Sequence, residues 1–207
     1  MTSLTFRRPA AWVLLAALSL LCLGFAIRWF PVAFPILTVD LRMDRAQALE
    51  QAQALSARFG FAPKATRQTA VFDNDDDVQN YVELEAGGKD AFRDLIAGGK
   101  YAPYQWIVRR YKEGEENEVR LYFTPEGKPY GFNEKIPETR PGAALPPEAA
   151  LALAKTAAAR DWNVDFSVYG DPSSSRETKP SGRVDHTFVF ERQAEGRPEK
   201  IGQAPFR

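Results

Sequence analysis

Between Arg8 and Arg28 the chain runs nineteen residues without a charge, Pro9 to Ile27, and most are Leu, Ala, Val or Phe. At about 1.5 Å per residue such a helix is roughly 28 Å long, close to the hydrocarbon thickness of a bilayer. No other window matches it. The pattern predicts one membrane-spanning helix over 9–30, in contact with lipid, with Trp29 and Phe30 as interfacial anchors. Three other uses of the segment compete, one of them a buried core helix of a soluble protein, which a stretch of this length without a polar face does not suit. A cleaved signal peptide would place Gly24 and Ala26 before the cut. A lipoprotein would need a small residue directly before Cys22, where Leu21 stands. The apolar run continues through Val32, Phe34, Ile36 and Leu37, which favours a retained signal anchor. Arg7 and Arg8 in the short N-terminus, 1–8, favour keeping that end in the cytoplasm. The expected address is the inner cell membrane, single-pass, with the bulk of the chain extracytoplasmic.

Beyond the span the period becomes that of a surface helix. Ala46, Leu49, Ala52, Leu55 and Phe59 recur at three- and four-residue steps, so 44–59 reads as a helix with Asp44 as N-cap and Gly60 as its stop. Residues 67–72 have strand composition, and the acidic run Asp73 to Asp77 is expected to break them off. Val78, Tyr81 and Val82 mark a second helix over 77–85. Phe92, Leu95 and Ile96 mark a third over 89–97. The period then drops to two. Tyr104 to Tyr111, Glu118 to Thr124 and Tyr130 to Ile136 read as three strands, joined by a polar turn over 112–117 and a tight turn over 125–128. Together they predict an antiparallel meander packed on a helix.

The Pro-rich stretch 139–147 reads as a linker. After it come a helix from Pro147 and Glu148 through Arg160, a strand over 162–168, a polar loop over 171–182 and a strand over 185–192. Leu49 to Ala52 falls on Leu151 to Ala154, and Trp106 to Arg110 falls on Thr187 to Glu191. The expectation is therefore α+β. The organisation expected is a first module over 38–138 and a second, incomplete one over 148–207, whose sheet stops at Pro205-Phe206-Arg207 with an edge unpaired.

Composition narrows the function classes. The chain has 27 basic and 27 acidic residues and a net charge of zero, so it lacks the electrostatic footprint of a nucleic-acid binder. Its one cysteine, Cys22, lies in the span and forms no intrachain disulfide. About 170 residues remain for one ordinary domain or two small ones.

Few residues suggest chemistry. Asp73, Asp75 and Asp77 fall at positions one, three and five of a calcium loop, but Val78 replaces the glycine at six and Leu84 the glutamate at twelve. The alternative is a turn whose carboxylates cap the following helix. The single histidine, His186, reads as a sheet-surface residue beside Asp185. The serines gather at Ser173-Ser174-Ser175, with no His or Cys arrangement to activate them. Gly87-Gly88 and Gly98-Gly99 lack the flanking strand and Lys-Ser/Thr of a phosphate loop. Tyr101, Tyr104, Trp106, Tyr111, Tyr122, Tyr130 and Phe132 are dense enough to fill a sheet core and leave an aromatic face for a peptide or for the membrane-proximal surface. No catalytic, cofactor-binding or metal-binding residue is assigned.

The helix and meander, closing with Thr124-Pro125-Glu126-Gly127-Lys128 and Gly131-Phe132, resemble the PepSY-like module. The longer order includes Val39-Asp40-Leu41 with Arg45-Ala46, Phe72 to Asp77, Ile136-Pro137-Glu138 and Asp185-His186-Thr187-Phe188. It resembles the extracytoplasmic region that precedes CPBP-type (CAAX-protease-like) intramembrane metalloproteases of bacteria. That family holds its metal with a Glu-Glu-x-x-x-Arg motif and two histidine motifs inside membrane helices. Glu115 to Arg120 matches the first string in letters only, since it lies in a polar turn, and one histidine does not supply two. The resemblance implies a noncatalytic, protein-binding or regulatory fragment whose partner is a membrane protease domain or a peptide. The alternatives are the N-terminal part of a longer metalloprotease and a stand-alone membrane-tethered ligand-binding module.

Overall fold

The computed structural model describes residues 9–61, 67–99, 101–194 and 197–198. The N-terminus 1–8 and the end at Pro205-Phe206-Arg207 lie outside the described residues. The chain divides into two compact units, 1–40 and 41–207. In the first, α1 (Pro9–Ala33) is followed by a 3-10 turn (Pro35–Thr38). Among the described residues α1 is the one helix long and apolar enough to cross a membrane, over Pro9–Phe30, and none of that stretch is buried.

The second unit is α+β with antiparallel sheets. Its helix α2 (Arg45–Phe59) begins with a reciprocal capping box. The Asp44 carboxylate accepts from the Gln47 amide at 2.8 Å, and the Gln47 side chain accepts from the Asp44 amide at 2.9 Å. This satisfies two of the amide donors that a helix start leaves free. Gly60 ends the helix in the left-handed region, φ 71°, where a side chain would be strained.

There follow β1 (Arg67–Asn74), α3 (Asp76–Glu85), α4 (Gly88–Ala97), β2 (Tyr104–Tyr111), β3 (Glu118–Phe123) and β4 (Pro129–Lys135). The four strands form one antiparallel sheet in the order β1-β2-β3-β4. Opposed residues such as Ala70, Val108 and Leu121 therefore share a face. That face meets α2. The core contains Met43, Ala48, Ala52, Trp106, Val108, Val119, Leu121 and Phe123, with Leu49, Leu55, Phe61, Ala70 and Phe72 around it.

The buried stripe of α2 is Ala48, Ala52 and Ser56, one position round from the expected one, and Ala46 is exposed. Small side chains let the helix lie close to the sheet while the larger Leu49 and Leu55 pack at its flanks. The Trp106 indole donates to the Met43 carbonyl at 2.9 Å, so its polar atom has a partner inside the core.

After residue 135 come α5 (Pro147–Trp162), a 3-10 turn (Phe166–Val168), β5 (Ser173–Thr178), β6 (Val184–Val189) and the short pair β7 (Gln193–Ala194) and β8 (Arg197–Pro198). Three expectations change here. Residues 162–168 are a helix end and a 3-10 turn rather than a strand, because Asn163 takes a left-handed conformation and Asp165 caps the Ser167 amide. The loop expected over 171–182 holds β5, whose side chains are all exposed, so no apolar alternation announces it. The strand β1 runs on to Asn74 instead of stopping at Phe72, because Asp73 and Asn74 pair with Gln105 and Tyr104. No described residue after Pro125 is buried.

Candidate functional site

The acidic turn, the Glu115–Arg120 string and His186 each have a local task. The acidic turn lies between β1 and α3. One oxygen of Asp75 accepts from the Val78 amide at 3.1 Å, capping α3, and the other accepts the Tyr101 hydroxyl at 2.5 Å. Asp73 accepts from the Asn74 amide at 3.0 Å. Asn74 donates to Asp76 at 2.6 Å and to Gln79 at 3.2 Å. The central carboxylate is thus occupied by a helix start and a phenol. Among the described residues no group of three or more His, Cys, Asp or Glu is placed to hold a metal.

Tyrosines gather around this turn. Burial first, then the hydrogen bond to Asp75, push the Tyr101 phenol well above its ordinary value. Desolvation of the hydroxyl raises Tyr104 and Tyr130 as well, the latter although the residue as a whole is exposed and its hydroxyl oxygen accepts from the Ala102 amide. Tyr104 also stacks on Phe72 and meets Phe92 edge-on. These rings close the end of the core where α3 and α4 join the sheet.

The string Glu115 to Arg120 crosses a hairpin. Glu115 pairs with Lys112, and its amide donates to the Lys112 carbonyl at 3.1 Å. Glu118 and Arg120 are in β3. The Glu118 carboxylate accepts from Arg109 Nε at 2.8 Å and from Arg120 at 3.3 Å. The Arg109 hydrogen bond, more than any other influence, holds that carboxyl below the usual range. Arg109 also lies over the Tyr111 ring, 4.6 Å from its centre.

These side chains belong to the sheet face turned away from α2. Register places Val71, Ile107 and Tyr122 in one row across three strands, and Thr69, Arg109 and Arg120 in the next. Val71, Arg109 and Arg120 are exposed. Two guanidiniums share one carboxylate, so the patch has more positive charge than it neutralises. Sequence reading marked the aromatic residues of this region but missed the pairing of Arg109 with Arg120. That pairing requires the β2–β3 register, which alternation alone does not fix.

His186 lies on β6, where its Nε2 meets the Leu145 carbonyl at 2.9 Å. It ties down the Pro-rich segment, as do three neighbours. Arg183 donates to the Pro137 and Arg140 carbonyls at 3.1 and 3.0 Å while its Nε holds Asp185 at 2.7 Å. Ser181 donates to the Arg140 carbonyl at 3.0 Å. Lys179 reaches Glu138 at 3.3 Å. Phe132 and Trp162 stack at 5.3 Å, and Phe61 stacks on Phe132 at 4.3 Å. This aromatic column joins α5 to the sheet. The Ser173–Ser175 hydroxyls sit on exposed β5.

No family model, no curated protein and no solved structure matches this chain.

Proposed function

We propose that the chain is a membrane-tethered, noncatalytic module that binds a polypeptide outside the cytoplasm. One observation carries this reading. Asp75, Glu115, Glu118, Asp185 and His186 each hold a neighbouring part of the fold, while the sheet face turned away from α2 keeps Val71, Arg109 and Arg120 exposed. Its row of Val71, Ile107 and Tyr122 beside Arg109 and Arg120 suits a partner with an acidic side chain next to apolar ones. The sequence resemblance points to a CPBP-type membrane protease domain, continuous with this polypeptide or supplied by another chain. A helix followed by an antiparallel strand pair occurs twice, as α2 with β1 and β2 (α3 and α4 inserted between the strands) and as α5 with β5 and β6, which is in keeping with a second, incomplete PepSY-like module.

Two experiments test this. Alkaline carbonate washing of membranes is expected to leave the chain in the pellet with its N-terminus intact; release, or a mass starting after Ala26, replaces the tether with a signal peptide. A photo-reactive residue at Val71, with one at Leu153 on α5 as control, is expected to crosslink a CPBP-type protease domain from position 71 alone. Equal yields from both positions, or a product of another class, overturn the assignment of face or partner.

A further inference from the structure

The α1 helix does not stop at the charge that ends the apolar run. It continues five residues past Arg28 to Ala33, which adds about 8 Å to a rod that has already used the hydrocarbon thickness. The 3-10 turn then carries the backbone on to Thr38. From Trp29 to Val39 no residue is charged. Trp29, Phe30, Phe34, Ile36 and Leu37 are each exposed over about half their surface. In water such a run is an uncovered apolar patch; at a bilayer it has a natural cover.

The backbone is prepared for the same environment. The Phe34 amide donates to the Phe30 carbonyl at 3.0 Å, that of Leu37 to Phe34 at 3.1 Å, and that of Val39 to Ile36 at 3.2 Å. Pro31 and Pro35 have no amide hydrogen to satisfy. Internal pairing of this kind lets a segment sit where water is scarce. The Phe30 and Phe34 rings lie 4.6 Å apart across the junction, and the Arg28 guanidinium lies 5.5 Å from the Trp29 ring centre. A long cationic side chain beside an indole is the pairing expected at headgroup depth.

We infer that the membrane contact does not end with the span at Phe30: residues 31–37 continue it from the anchors Trp29 and Phe30 as an interfacial collar lying in the boundary between headgroups and acyl chains. The occupant of its apolar side chains is the lipid surface, with which the span is already continuous. Asp40 is the first charged residue after Arg28, and it marks where the chain leaves the interface. The inference rests on the tethered reading, and the test separates the two.

In a Cys22→Ser background, single cysteines are placed at Leu18, Ile36 and Ser174, each is labelled with an environment-sensitive fluorophore, and the full chain is reconstituted in phosphatidylcholine–phosphatidylglycerol vesicles. Lipids with a nitroxide deep or shallow in the acyl chain then read depth. The expected pattern is deep quenching at 18, shallow quenching with a blue-shifted emission at 36, and neither at 174. If 18 is quenched while 36 behaves like 174, the collar is overturned and the tether stands. If 18 behaves like 174, both fall. A triple variant, Phe34→Ser, Ile36→Ser and Leu37→Ser, read with the label at Thr38→Cys, is expected to lose the shallow quenching that the same label shows without those changes. Retained quenching also overturns the collar.

Discussion

Asp75 shows how a residue's neighbours decide its chemistry. In the sequence it is the middle of an acidic run; in the fold one oxygen caps α3 and the other accepts the Tyr101 hydroxyl. The phenols around it carry a prediction about alkali. Tyr101, Tyr104 and Tyr130 are all raised above their ordinary value of 10, mainly by desolvation of their hydroxyls, although Tyr130 as a residue is exposed. A raised phenol supports the fold fully below its unfolded value, and that support is lost as pH rises through the folded one. Spectrophotometric titration is expected to show these three of the seven tyrosines ionising late, together with loss of native circular dichroism. All seven titrating together near the ordinary value with the fold intact would refute it. On the acid side Glu118 and Asp185 are both lowered, chiefly by their hydrogen bonds from Arg109 and Arg183. Their support is present above the unfolded carboxyl value and fades as pH falls through the folded one.

At the scale of elements, α2 is held by a stripe of small residues. Ala52 is fully buried against the sheet and Ala46 is exposed. Ala52→Leu forces extra volume into packed space and is expected to cost about 1–3 kcal/mol. Ala46→Leu is expected to stay within about 0.5 kcal/mol of the parent. Urea midpoints separate the two, and equal effects would mean that α2 is rotated from the position described. The Pro-rich segment makes a second case. Arg183 holds the Arg140 carbonyl within it and the Pro137 carbonyl just before it, and is itself oriented by Asp185; a Cβ on Gly142 would stand 2.7 Å from the Arg183 side chain. Arg183→Ala is expected to raise amide hydrogen exchange across 138–145 at least severalfold, since charge-assisted bonds contribute about 1.5–3 kcal/mol each. Unchanged exchange there would show that the segment is held by other contacts.

At the scale of the molecule, every described residue that is buried lies between Met43 and Pro125. The α5–β5–β6 part has a helix with no buried residue and a two-stranded sheet. A two-stranded hairpin is marginal in water by itself. It leans on the sheet through Phe132 and Trp162, and on the Arg58–Asp161 contact at 3.6 Å. Residues 140–207 alone are therefore expected to show no cooperative unfolding transition and to aggregate, whereas 41–207 unfolds cooperatively. Calorimetry of both decides it, and a sharp monomeric transition in 140–207 would count against this view.

The sequence by itself determined the features that depend on near neighbours. The apolar run of 9–27 makes α1 long and uncharged. Asp44 and Gly60 bracket α2 because caps act over three or four residues. The alternation in 104–111, 118–124 and 130–136 yields β2, β3 and β4, since a half-buried strand needs only a period of two. Tertiary structure alone decided what depends on distant partners. β5 has no apolar alternation and exists through its ladder to β6. The buried stripe of α2 is set by how closely the sheet approaches it. The tasks of Asp75, Glu118, Arg183 and His186 come from groups 26, 9, 43 and 41 residues away. A hydrogen bond is specified by proximity in space, and local pattern does not encode that.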